Sequence, residues 1–194
     1  MHITPPINPP KPFRAPCPHN QEPYYSVPHV AIEANDVLFT IIDADKAEYT
    51  PSLTVAIEEE TFHVIPRPHL TEFLKFLARR TSPAIYSTMK RSHLEAILKS
   101  INKYVFSKSD EREWLEEFVF SIYDVEQCLE TPDGYMKSMI YMTEHYEQIP
   151  MSMMWLIDLE EGLVDFPLRK ITIPKFSGDM NDRGLVDFIL TYGQ

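Results

Sequence analysis

Short apolar runs alternate along this chain with stretches whose apolar positions recur at helical spacing. Val37–Ile42 is a continuous apolar run and reads as a parallel strand buried on both faces. Leu53–Ile57 and Thr61–Ile65 flank the glutamates Glu58, Glu59 and Glu60, a pattern that predicts a β-hairpin. Pro68 suits the first turn of a helix whose inward face is Leu70, Phe73, Leu74 and Leu77. Ala84–Ser87 reads as a short strand, and Ser92–Lys103 as a helix with Leu94, Ile97, Leu98 and Ile101 inward. Asp110–Phe118 is expected to be a short helix with an acidic first turn, Val119–Tyr123 a strand, and Thr143–Ile149 a further helix. Met153–Ile157 and Ile171–Ile173 are two more strands, and Asn181–Leu190 is a closing helix with Leu185, Phe188 and Ile189 on one face. Strands separated by helices predict an α/β fold, a doubly wound parallel sheet with a β-hairpin insertion.

The first thirty residues do not share this pattern. They hold nine of the 17 prolines. Proline removes backbone donors and drives the residue before it toward extended geometry, so neither helix nor ladder is expected there. The sequence therefore divides into a proline-rich arm, 1–30, expected to be extended and polyproline-like, and a folded domain, 31–194. No apolar core follows the basic residues of the arm, so it does not read as a secretory signal, and its prolines exclude an amphipathic transit helix. An arm of this kind is expected to lie along neighbouring chains, with Ile7, Phe13, Tyr24 and Tyr25 as anchors.

Composition narrows the function classes. At 194 residues, 44% hydrophobic and 24% charged, the chain is long enough for one cored domain. No run of eighteen apolar residues exists to span a bilayer, so membrane association is expected through partners. The net charge of −11 is carried by the domain, because residues 1–30 contain two basic side chains and one acidic. An acidic body argues against a nucleic-acid backbone as ligand and suits a basic protein partner or simple solubility. Cys17 and Cys128 form no CxxC pair and imply neither a zinc site nor a disulfide framework. The methionines from Met136 to Met154 read first as core filling.

Ligands of doubly wound sheets sit beyond the carboxyl ends of the strands. Three predicted strands run into chemistry there: one into Asp43-Ala44-Asp45, one into Ser87-Thr88, one into Asp158. Carboxylates at i and i+2 after one strand, with a third after another, could hold Mg²⁺ through oxygen. One of them could attack phosphorus to form an aspartyl-phosphate, while a hydroxyl and a lysine hold the phosphoryl oxygens. An Asp at a strand end also serves simply as a turn former or cap.

These residues resemble a family. Asp43-x-Asp45 after an apolar strand is similar to the nucleophile motif of the haloacid dehalogenase-like phosphatases. Arg67-Pro68-His69-Leu70-x-x-Phe73-Leu74 resembles the Arg-Pro-Gly-Leu-x-x-Phe-Leu segment of their polymerase-tail phosphatase branch. Ile85-Tyr86-Ser87-Thr88 and Met154-Trp155-Leu156-Ile157-Asp158 resemble its phosphate-binding and last acidic strands. Phe176-Ser177-Gly178-Asp179-x-x-Asp182-x-x-Leu185-x-Asp187-Phe188 resembles the ending of the presequence-receptor subunit of the mitochondrial inner-membrane translocase. The resemblance implies a haloacid dehalogenase-like fold without a large cap domain over about residues 36–192. For an active member it implies Asp43 as nucleophile, Asp45 as general acid/base, Ser87 and Lys137 on the phosphate, and Mg²⁺ on Asp43 and Asp158.

The sequence departs from that pattern. Ala47 stands where the nucleophile motif closes on Thr or Val, Leu159 where a metal-side Asp or Asn follows the last acid, and His69 where the segment has Gly. Lys137 lies about one helical turn too far from Asp158, and a shift of that size would put Met142 in its place. The expected function is thus a non-catalytic structural or binding subunit of a large, mitochondrial inner-membrane protein assembly, with no cofactor. The alternative is a Mg²⁺-dependent phosphoprotein Ser/Thr phosphatase.

Overall fold

The computed structural model describes residues 27–47, 52–106, 119, 121–145 and 150–193. The segment expected as a helix at 110–118 and the anchors Ile7, Phe13, Tyr24 and Tyr25 lie outside them.

Five parallel strands form the central sheet: β1 (His29–Ile32), β5 (Ser82–Tyr86), β6 (Ser121–Tyr123), β9 (Met154–Asp158) and β10 (Lys170–Thr172), in the order β10-β9-β1-β5-β6. Side chains alternate across a strand, and here the alternation feeds two cores. Val30, Ile32, Ile85, Ile122 and Ile157 face one; Ala31, Ala84, Tyr86, Tyr123, Met154 and Leu156 face the other. On the first side lie α2 (Leu70–Ala78), α3 (Arg91–Ile101) and α5 (Gly184–Tyr192), through the apolar stripes their spacing predicts: Leu70, Phe73, Leu74, Leu77; Leu94, Ile97, Leu98, Ile101; and Leu185 with Phe188. On the second side lies α4 (Met139–His145), through Met139, Tyr141 and Met142. Both faces are covered, as a parallel sheet requires.

The structure moves one strand. The run 37–42 is not a central parallel strand. Only Phe39–Ile42 is extended, as β2, and it pairs antiparallel with β4 (Glu60–Pro66), which also pairs with β3 (Leu53–Ile57). The cause is a tight reversal straight after β1. Leu38 N–H donates to the Ala34 carbonyl at 2.9 Å, Asp36 takes a φ of 60°, and Asn35 bridges to Phe39. The chain thus leaves the sheet at residue 33, and β1 crosses the boundary expected between 30 and 31. Two smaller shifts follow local geometry: α4 starts at Met139 rather than Thr143, and α3 ends at Ile101 in a short π-helix, Asn102–Phe106.

A second hairpin, β7 (Cys128–Thr131) and β8 (Gly134–Lys137), follows β6. Its turn, Pro132-Asp133-Gly134, uses a left-handed φ of 120° at Gly134, and Thr131 Oγ1 donates to the Gly134 carbonyl at 2.7 Å. This hairpin brings Lys137 over the carboxyl edge of the sheet. Arg67, buried at the end of β4, ties the C-terminal segment down. It pairs with both oxygens of Asp182 (2.6 and 3.1 Å) and donates to the Val37 and Pro174 carbonyls. Among the described residues no helix is long and apolar enough to cross a membrane.

Candidate functional site

Three neighbouring strands, β5, β1 and β9, end side by side, and each hands over a polar residue. Parallel pairing continues one step past β1 and β5: Glu33 N–H donates to the Ile157 carbonyl (2.9 Å) and Ser87 N–H to the Tyr123 carbonyl (3.0 Å). Asp158 is the last residue of β9, and its carbonyl takes the Ile173 N–H (3.0 Å). With Lys137 from β8, Glu33, Ser87 and Asp158 form one buried cluster.

The cluster's bonding is dense. Glu33 Oε1 accepts from three donors: Ala34 N–H (2.8 Å), Asn35 N–H (2.9 Å) and the Ser87 hydroxyl (2.9 Å). Glu33 Oε2 pairs with Lys137 Nζ at 2.5 Å. The ammonium also donates to Asp158 Oδ2 (3.0 Å), and Asp158 Oδ1 accepts Leu159 N–H (2.7 Å). Ser87 Oγ accepts Met89 N–H at 3.3 Å, which turns its own proton toward Glu33.

Every carboxylate oxygen of the cluster accepts a donor, and the Lys137 ammonium lies between the two acids. Burial works against the Lys137 ammonium, but attraction from Glu33 and Asp158 outweighs it and holds the lysine above its ordinary pKa. Burial, helped by the charge of Asp158, raises the Glu33 carboxyl, while Lys137 and the loop N–H pull the other way. Burial also pushes the nearby Cys128 thiol up to about 12, which makes it an inert side chain.

A loop covers the site. Residues 159–162 turn over Asp158, with Gly162 N–H on the Leu159 carbonyl at 3.2 Å. The backbone there lies so close that a Cβ on Gly162 would stand 2.3 Å from Asp158 Oδ2; only glycine fits. Lys170 Nζ clasps the loop through the carbonyls of Glu160 (2.7 Å) and Gly162 (2.8 Å). Residues 163–165 then pair with the Lys137 backbone.

Of the residues singled out in the sequence, the structure brings Ser87, Lys137 and Asp158 together and leaves Asp43 and Asp45 out. Asp43 follows β2 in the other sheet, its side chain is 77% exposed, and it pairs with Lys46 at 3.4 Å. Asp45 lies in the exposed single turn α1 (Ala44–Ala47). The residue at the end of the central strand is Glu33, with Asn35 two places on. Two signals in the sequence could have found them: the short apolar run Val30-Ala31-Ile32, and Val37 standing where the nucleophile motif closes on Thr or Val. The lysine keeps its place, and Met142 is core.

The fold and the strand-end cluster agree with a comparison to known families: the profile of the NLI interacting factor-like phosphatases, NIF, matches residues 28–193. The chain belongs to this family. No curated protein sequence is significantly similar to this NIF-family chain. Solved structures are. One is a variant of the fission yeast RNA polymerase II CTD phosphatase Fcp1 bound to beryllium fluoride, with a TM-score of 0.53 at 13% identity. Another is Fcp1 itself, described as an essential RNA polymerase II CTD phosphatase, with a TM-score of 0.51 at 11% identity. Each match covers 78% of this chain and 42% of the other, so the likeness is one of fold. Closeness to the translocase receptor is not among these findings.

Phosphatases of this fold imply Mg²⁺, and the NIF-family cluster here does not fit that ion. Magnesium wants carboxylate and carbonyl oxygens at octahedral positions. Glu33 and Asp158 instead have Lys137 lodged between them, and the next residue, Leu159, is packed into the apolar core. Among the described residues no three His, Cys, Asp or Glu side chains are grouped as a metal site.

Proposed function

We propose that this domain is a non-catalytic binding subunit built on a phosphatase fold. The observation that carries the reading is the state of Glu33. Phosphoryl transfer to a carboxylate needs an oxygen free to attack and an acid to protonate the leaving oxygen. Both Glu33 oxygens are engaged by four donors, and the amide of Asn35 has no acidic proton to give. Loss of general acid catalysis alone is worth about 10²–10⁴ in rate. The acidic body suits a basic protein face, and Ile7, Phe13, Tyr24 and Tyr25 belong to this proposal as anchors on neighbouring subunits. A mitochondrial inner-membrane setting rests on the likeness of the Phe176–Phe188 ending alone, and cell fractionation tests it.

A second reading, a Mg²⁺-dependent phosphoprotein phosphatase, is favoured by NIF-family membership, by the fold shared with Fcp1 and by the retention of Ser87, Lys137 and Asp158 at one edge. In that reading Glu33, not Asp43, takes the nucleophile's place. One assay separates the two. Aryl phosphate with Mg²⁺ is expected to be turned over no faster by the protein than by buffer. Turnover that Glu33→Gln abolishes and Asp43→Asn leaves intact would establish the phosphatase instead.

A further inference from the structure

The four donors around Glu33 have a chemistry of their own. Two successive backbone N–H groups in a turn form a concave, positively polarised nest. A serine hydroxyl and a lysine ammonium complete it from two other elements, β5 and β8. Hydroxyl, ammonium and paired N–H groups converging at the carboxyl end of a parallel sheet are the donors that hold a small oxyanion. Ala34 and Ser87 are fully buried, and buried donors of this kind are almost always satisfied.

Here the acceptor comes from the chain itself. Glu33 folds its carboxylate back onto its own loop, and Oε1 takes three of the four donors while Oε2 takes the fourth. We propose that Glu33 is an internal ligand: its carboxylate occupies an oxyanion seat made by the Ala34 and Asn35 N–H groups, the Ser87 hydroxyl and the Lys137 ammonium, and so closes the domain to phosphate and phosphomonoester groups. The inference rests on the binding-subunit reading and deepens it, because it names what shuts the site. The charge count agrees. Lys137 and Asp158 form a neutral pair once Glu33 is removed, so one phosphate monoanion in its place restores the single negative charge that Glu33 brings to the pair. Asn35 Oδ1, at the same turn, is buried and without a hydrogen-bond partner.

The experiment is to titrate the full-length protein and its Glu33→Ala variant with inorganic phosphate, by calorimetry and by thermal shift. Glu33→Ala is expected to bind one phosphate at least tenfold more tightly than the wild type and to gain thermal stability from it. Adding Ser87→Ala is expected to weaken that binding at least fivefold. Wild-type binding as tight as the variant's would show the seat open. A folded Glu33→Ala protein that takes no phosphate, or one whose binding survives Ser87→Ala, would show that there is no such seat. Should Glu33→Ala fail to fold, Glu33→Gln keeps the shape and removes the charge. The amide proton resonances of Ala34 and Asn35 are then expected to move upfield, and unmoved resonances would overturn the internal ligand. Phosphoester turnover by the wild type would sink the binding-subunit reading, whereas a folded, phosphate-free Glu33→Ala protein sinks the internal ligand alone.

Discussion

One residue decides the chemistry at this sheet edge, and its partner decides what that residue costs. Lys137 is the sole cation among the described residues between two buried carboxylates. Removing one member of a buried ion cluster is strongly destabilising, because the groups left behind are buried without a counter-ion. Lys137→Met is expected to lower unfolding free energy by about 3–5 kcal/mol, and adding Glu33→Gln to recover part of the loss, so that the two changes are not additive. Urea denaturation of the two single variants and the double variant checks this. The same lysine gives a pH dependence. Its pKa is raised in the folded state, so its stabilising contribution is whole below the ordinary value of 10.5 and is lost as pH climbs through the higher folded value. Denaturation midpoints should fall above pH 10.5, more steeply for the wild type than for Lys137→Met. Equal slopes would mean that the lysine carries no such linkage.

Elements were legible in this sequence in proportion to their period. Helices α2, α3 and α5 bury four or fewer apolar residues each, but at three- and four-residue spacing, and their inward faces follow from it directly. Strand β1 has four residues, follows a proline-rich stretch in the sequence and runs into Glu33 rather than an Asp, so no period could mark it. A longer apolar run a few residues on, with two aspartates behind it, drew the nucleophile assignment to a surface hairpin. Strands β7 and β8 lack alternation as well, though their Pro132-Asp133-Gly134 turn is an ordinary hairpin signal. The glycine that the resembled segment has at the place of His69 is explained by the backbone there. His69 holds a φ of 64° before α2, is exposed, and gives the helix no side-chain cap. A left-handed non-glycine residue is strained by roughly 1–2 kcal/mol, and glycine at this place is the strain-free choice. His69→Gly is therefore expected to stabilise the domain by about 0.5–1 kcal/mol after the entropy it adds to the unfolded chain. A lowered thermal midpoint would instead assign the His69 side chain a contact that its exposure does not suggest.

At the scale of the molecule, alternation of helix and strand announced a doubly wound sheet, but not which strand stands at its centre. That place belongs to β1, hydrogen-bonded to β5 on one side and β9 on the other. Where the folded unit begins is therefore a question about very few residues. The first described contacts are local to this strand: the Pro28 carbonyl accepts Ser82 N–H at 2.8 Å, and His29 opens the pairing with Ser82 and Met154. Val30 and Ile32 enter one core and Ala31 the other, so losing β1 would open both cores and leave β5 and β9 with unpaired backbone groups in the protein's middle. Two deletions then bracket the boundary. Removal of residues 2–26 is expected to leave a cooperative thermal transition within a few degrees of the full chain, because β1 and every described member of both cores remain. Removal of residues 2–32 is expected to abolish that transition. A protein lacking 2–26 that no longer unfolds cooperatively would mean that the arm belongs to the fold. If it folds but no longer enters its native assembly in pull-down from cells, the arm serves partners, as a subunit of a larger complex requires.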